Sequence, residues 1–133
     1  PWTINPSYYI FPALEAIGGA WPSTRFKATT EQGLEILRYA RFGRFGLPPD
    51  WLLLSDPVRP DVTRSRRFSY DAVRVPLFLA WAGKTDHPVI RGFLQLQLEP
   101  SQPAWADLID NSLAPYRPQP GFKAIADVCR ALV

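Results

Sequence analysis

The sequence predicts an all-α fold, and three observations carry that expectation. Apolar residues recur three and four apart in six segments, no stretch of any length alternates apolar with polar residues, and the 15 prolines fall almost wholly between the apolar stripes. Helix, loop and helix thus recur with stiff connections, the pattern of helical hairpins stacked in a ring or a solenoid. At 133 residues, 47% of them hydrophobic, the chain has the length of one domain and enough apolar side chains to bury a core.

The first segment, "PSYYIFPALEAIG", offers Ile10, Leu14 and Ile17 on one face, with Gly18 and Gly19 as its end. A second helix is expected in "TTEQGLEILRYARFG", capped by Thr29 or Thr30, with Leu34, Leu37 and Ala40 on one face and Gly43 and Gly46 beyond its end. The prolines of "LPPDWLLLSDPVRP" argue against regular helix, and its short apolar run suits an extended segment. From Ala72 to Trp81 the chain is apolar on nearly every side, as an inner helix would be, and Pro76 predicts a late start or a kink. "DHPVIRGFLQLQLEP" places Val89, Ile90, Phe93, Leu94 and Gln97 on one stripe behind an Asp86 cap. Two more helices are expected, one in "PAWADLIDNSLAPY" and one in "GFKAIADVCRALV", the latter with Phe122, Ile125, Val128 and Leu132 inward.

Composition narrows the chemistry. One cysteine, Cys129, excludes an internal disulfide framework and a cysteine-rich metal site, and its setting reads as a small apolar helix residue. The single histidine, His87, precedes a proline in a loop or at a helix start and has no evident partners for a triad or a zinc site. No metal and no cofactor are expected, and carboxylates remain as the chemical groups. The net charge of +3 is partly concentrated in Arg59, Arg64, Arg66 and Arg67. That cluster is short, contains Asp61 and lacks interleaved aromatics, so it reads as a solvated loop or the lining of a polar cleft rather than a nucleic-acid surface. No apolar run reaches the roughly 20 residues of a membrane span. The chain starts at Pro1 and contains no methionine, so further sequence is expected upstream.

Against this background "FSYDAVRVP", residues 68 to 76, sets one carboxylate, Asp71, between Tyr70 and Arg74 where an apolar run begins. Such an aspartate is commonly a helix cap, and it is equally placed to act as a base. The aromatic residues of "NPSYY" and "PPDW" add faces on which sugar rings can stack, although Trp2, Trp21, Trp51, Trp81 and Trp105 each suit core packing as well.

Three motifs in order, "INPSYY" at 4 to 9, "LPPDW" at 47 to 51 and "FSYDAVRVP" at 68 to 76, resemble the C-terminal half of the family-8 glycoside hydrolases, most of all the bacterial cellulases associated with cellulose biosynthesis. The resemblance implies an (α/α)6 barrel, of which residues 1–133 would be the C-terminal part, and endo-acting hydrolysis of β-1,4-glucan with inversion. Asp71 is then the general base, and Tyr8 helps to hold the attacking water. Arg74, Tyr70 and Trp51 are expected near the base or the substrate. The chemistry is consistent with those roles. An inverting glycosidase needs a carboxylate on the face opposite the leaving group, roughly 6.5 to 9.5 Å from an acid. A guanidinium three positions along a helical turn favours the charged form of a carboxylate.

The family's proton-donor glutamate, in a glycine-flanked N-terminal motif, has no match here. Glu15, Glu31, Glu35 and Glu99 lie in or at the ends of helical runs without that context, and the family's upstream aspartate is missing too. The resemblance therefore makes the missing N-terminal segment of the barrel a partner, without which helix faces would stand exposed, and a polymeric substrate implies a periplasmic or secreted enzyme. A xylanase or chitosanase of the same family is the nearest alternative. A noncatalytic helical module that binds glucan or a protein is the alternative from another class.

Overall fold

The computed structural model describes residues 1–21 and 23–133. It is helical with two small sheets. Five α-helices are present among the described residues: α1 (Phe11–Ala20), α2 (Thr24–Tyr39), α3 (Arg74–Trp81), α4 (Pro88–Leu96) and α5 (Pro120–Leu132). Strands β1 (Trp2–Ile4), β2 (Leu52–Leu54) and β3 (Arg59–Pro60) form an antiparallel sheet in the order β1-β2-β3, and β4 (Arg67–Phe68) pairs with β5 (Ala106–Asp107). Strand β2 falls in the apolar run expected to be extended, while the other strands, of two or three residues, are too short to show alternation in a sequence and are absent from the all-α expectation.

Helix α3 is the hub, packing against α1, α4 and α5. It begins at Arg74, with Pro76 in its first turn where no backbone donor is needed, so the proline delays the helix rather than bending it. Its buried Val75, Leu79 and Ala80 meet Phe68, Val89, Ile90 and Phe93 in one core. Fully burying a side chain such as Phe93 contributes about 1.5–3 kcal/mol. Trp81 is exposed, so α3 is not covered on every side.

Several boundaries differ from the sequence reading. Ser23 caps α2 by accepting a hydrogen bond from the Arg25 amide, while Thr29 and Thr30 lie inside the helix and donate to the carbonyls of Arg25 and Phe26. In α4 the cap is His87, whose Nδ1 accepts from the Val89 amide, not Asp86. Helix α1 runs through Gly18 and Gly19, and Ile10 just before it and Ile17 within it stand exposed while Phe11 enters the core. On α5 the inward stripe is Phe122, Ala126 and Cys129, with Val128 and Leu132 outside. Burial of Cys129 pushes its thiol up to about 11, the state of a packing residue rather than a nucleophile.

The expected helix in 104–116 does not form. Asp107 instead accepts from the amides of Ile109 and Asp110, and Asn111 takes a left-handed φ of 62°, so the chain turns back and Leu113 bridges to Ala106. An aspartate that captures amides two and three residues on competes directly with helical hydrogen bonds. Gly92 permits one close approach, because a Cβ there would collide with the Phe45 carbonyl oxygen from the turn after α2. No helix of the described residues is long and apolar enough to cross a membrane.

Candidate active site

The segment 69–73, between β4 and α3, carries Asp71, and Asp50 holds both this segment and the residues leading into β4. Asp50 is buried, and its Oδ1 accepts from the amides of Ser69 (3.1 Å) and Ala72 (2.8 Å) while its Oδ2 accepts from the Ser65 hydroxyl (2.8 Å). Its own amide donates to the Arg67 carbonyl, 2.7 Å away. Burial pushes the Asp50 carboxyl above its ordinary value, and its three donors and the neighbouring charge of Asp71 only partly offset or add to that.

Asp71 is half-buried and does not cap α3, whose first turn starts after Val73 without any side-chain cap. Its Oδ1 accepts instead from the Arg74 guanidinium at 2.5 Å, and Arg74 Nε donates to the Asp71 carbonyl at 3.3 Å. The same terminal nitrogen of Arg74 donates to Ser7 Oγ at 2.9 Å. Ser7 in turn donates through its amide (3.0 Å) and hydroxyl (2.6 Å) to Asn5 Oδ1, which fixes the short 3-10 helix Pro6–Tyr8. Arg74 thus ties the motif around Asp71 to the motif around Tyr8, two stretches more than 60 residues apart in sequence.

Tyr8 projects from that 3-10 helix and is exposed, with its ring edge-on to Trp51 at 6.2 Å. The two rings, with Asn5, Thr3 and Tyr9, line a cavity of about 380 Å³. The amide nitrogen of Asn5 is buried there without a partner among the described residues. Asp71 and Arg74 are not in the walls of this cavity. A larger cavity of about 560 Å³, between the end of α2 and residues 55–58, touches none of the expected site residues.

The five residues expected at the site fall into three groups. Asp71 and Arg74 are in contact, Tyr8 and Trp51 are in contact, and Ser7 joins the two pairs. Tyr70 stands apart, its ring edge-on to Phe122 of α5 at 5.7 Å. One face of Trp51 is covered by the Arg64 guanidinium, 4.6 Å from the ring. Sequence reasoning misses Asn5, Ser7 and Asp50, although each stands inside a motif quoted for another residue. The signal for Asp50 was its place in a proline-rich apolar stretch, where an aspartate enters the interior only if donors await it.

Several of the other charged residues are paired away from this site. Glu15, Glu35 and Glu99 pair with Lys84, Arg38 and Arg44. Of the arginine cluster, Arg66 pairs with Asp107 and Asp110, and Arg67 lies over the Trp105 ring at 3.7 Å. Among the described residues no group of three or more His, Cys, Asp or Glu side chains could hold a metal ion.

A helical frame that ties a carboxylate–arginine pair through Ser7 to a segment with an exposed aromatic ring suits a carbohydrate site, and comparison with known proteins gives the family. The profile of the Glycosyl hydrolases family 8 matches residues 1–131, and the chain belongs to that family. It is 33% identical over 130 residues to a probable endoglucanase of Novacetimonas hansenii, covering 93% of this chain and 38% of that protein. Among solved structures it resembles the endo-beta-1,4-glucanase CMCax from Acetobacter xylinum with a TM-score of 0.87 and 32% identity, over 96% of this chain and 42% of that one. An endoglucanase from Komagataeibacter sucrofermentans gives a TM-score of 0.86 at 33% identity, again over 96% and 42%. The chain therefore spans about two fifths of the length of the proteins it matches.

Proposed function

We propose that this chain is the C-terminal part of the (α/α)6 catalytic domain of an endo-β-1,4-glucanase that hydrolyses β-1,4-glucan with inversion, and that Asp71 is its general base. The observation that carries the reading is the Arg74 guanidinium, which grips the Asp71 carboxylate and, through Ser7, holds the segment bearing Tyr8. A carboxylate so held keeps one oxygen free of Arg74 to take a proton from water, and Tyr8 supplies a phenol that can accept from or donate to that water. Trp51 is available to stack a sugar ring, with Tyr8 at its edge. Tyr70, packed on Phe122, is the most peripheral of the proposed substrate contacts.

The proton donor belongs, on this reading, to the N-terminal part of the same barrel, since Glu15, Glu35 and Glu99 are paired with cations and Glu31 lines a different cavity, beside Glu15 and Lys84. The exposed Ile10, Ile17 and Trp21 around α1 suit a face that the rest of the barrel covers. A polymeric substrate places the enzyme in the periplasm or outside the cell.

The test is Asp71→Asn in the complete enzyme, assayed on carboxymethylcellulose. Losing the general base costs kcat roughly 10²–10⁴-fold. Normal turnover by a folded variant overturns the assignment. Comparing release of reducing ends from glucan, xylan and chitosan fixes the polymer, and the anomer first released from a β-linked substrate, read by proton NMR, reports inversion.

A further inference from the structure

We propose that Asp50 is a positioning residue for the reaction, setting the place of the Asp71 carboxylate by clamping the backbone on both sides of it; this rests on Asp71 being the general base. Its Oδ1 receives the amides of Ser69 and Ala72, which lie two residues before and one residue after Asp71. Its Oδ2 receives the Ser65 hydroxyl, and its own amide is bonded to the Arg67 carbonyl, so the whole approach to Asp71 is referred to one buried side chain.

The reason for a clamp here is visible in the local backbone. Residues 70–73 precede α3 as turns, and α3 has no side-chain cap of its own. The Val73 amide bonds to the Ser69 carbonyl and the Arg74 amide to the Asp71 carbonyl, but nothing in α3 itself receives the Ala72 amide. Asp50 supplies that acceptor from a residue more than 20 positions upstream, and it is the only side chain that binds amides on either side of Asp71 among the described residues. Arg74 fixes one oxygen of Asp71 from the side, whereas Asp50 fixes the Cα from which that carboxylate hangs. A general base displaced by about 1 Å from its water can cost about 10²-fold in rate. Asp50 is not in the cavity wall, so its effect passes through the segment that carries Tyr70 and Asp71.

The test is made in the complete enzyme on carboxymethylcellulose. Asp50→Ala is expected to lower kcat about 100-fold while KM changes less, because Asp50 makes no contact with the Tyr8 ring and the clamped segment bears only the peripheral Tyr70. Asp50→Asn retains an oxygen for the two amides and turns an amide group toward Ser65, whose hydroxyl accepts as well as donates, so it restores most of the lost kcat. Folded Asp50→Ala with wild-type kcat, or Asp50→Asn no better than Asp50→Ala, overturns the proposal. Where Asp50→Ala does not fold, Ser65→Ala decides: a lower kcat at unchanged KM supports the clamp, and an unchanged kcat overturns it. Asp71→Asn measured in parallel keeps the two readings apart. Normal turnover there removes the general base itself, while an inactive Asp71→Asn beside a normal Asp50→Ala removes only the role of Asp50.

Discussion

Asp50 and Asp107 are the same device built twice with different electrostatics. Each is a buried carboxylate whose Oδ1 accepts two backbone amides and whose Oδ2 accepts one side-chain donor, and the two donors are neighbours in sequence, Ser65 for Asp50 and Arg66 for Asp107. For Asp107 burial pushes the carboxyl up, but its amide donors and the Arg66 guanidinium outweigh burial and hold it below the usual range. For Asp50 burial prevails, the donors are neutral, and Asp71 adds a like charge, so its carboxyl lies above the usual range. The turn at Asp107 is a structural closure neutralised by its own cation. At Asp50 no arginine pairs with the carboxylate among the described residues, and the Arg74 guanidinium pairs with Asp71.

If that contrast is right, removing the two carboxylates damages different properties. Asp107→Ala orphans the amides of Ile109 and Asp110 and frees Arg66, a loss of about 2–4 kcal/mol of stability. Urea denaturation of the complete enzyme measures it, and kcat of the folded fraction stays at the wild-type value. A fall in kcat comparable with that of Asp50→Ala would erase the distinction between a closure and a clamp.

The parts of the fold that were legible in the sequence are those whose period is long and whose caps are local. Helix α4 was readable because Val89, Ile90 and Phe93 repeat on one face and Pro88 marks its first turn. The spacing of Asp71 and Arg74 was readable because three residues bring side chains together in any helical turn. The misread segment 104–116 shows the limit: Leu108, Ile109 and Leu113 fit a helical stripe, yet the outcome depends on Asp107 finding its amides and Arg66 from 41 positions upstream. Asp50 and Ser7 were hidden for the same reason, since their roles lie in partners 15 to 67 residues away. Ile10 and Ile17 were legible as one apolar face, yet both stand exposed, because a sequence pattern marks such a face without saying what covers it.

A smaller effect separates the two donors. Ser65→Ala removes one neutral hydrogen bond and leaves Asp50 Oδ2 without its donor, a loss of about 1 kcal/mol. Arg66→Ala removes the cation from the buried Asp107, which is left with its two amide donors, and also a second contact to Asp110, so it costs more than Ser65→Ala. Combining the two substitutions tests independence: additive losses in the denaturation midpoint mean that the neighbouring donors serve separate devices, and strong coupling means one network.

The finest discrimination is one of sign, read from thermal stability between pH 7 and pH 3. Asn at either position keeps the shape and removes the titration. A carboxyl whose folded value is raised contributes stability that is fully present below its unfolded value of about 3.9 and is lost as pH rises through the folded value. Wild type should therefore gain on Asp50→Asn as the solution is acidified from the raised folded value of Asp50 down to about 3.9. A depressed carboxyl behaves oppositely, its contribution being present above about 3.9 and lost as pH falls through the lower folded value. Wild type should accordingly lose its advantage over Asp107→Asn only at the acid end of the range. Differences in Tm that move in the same direction for both variants would mean that Ser65 and Arg66 neutralise their carboxylates alike, and the lack of an arginine on Asp50 among the described residues would then carry no meaning for Asp71.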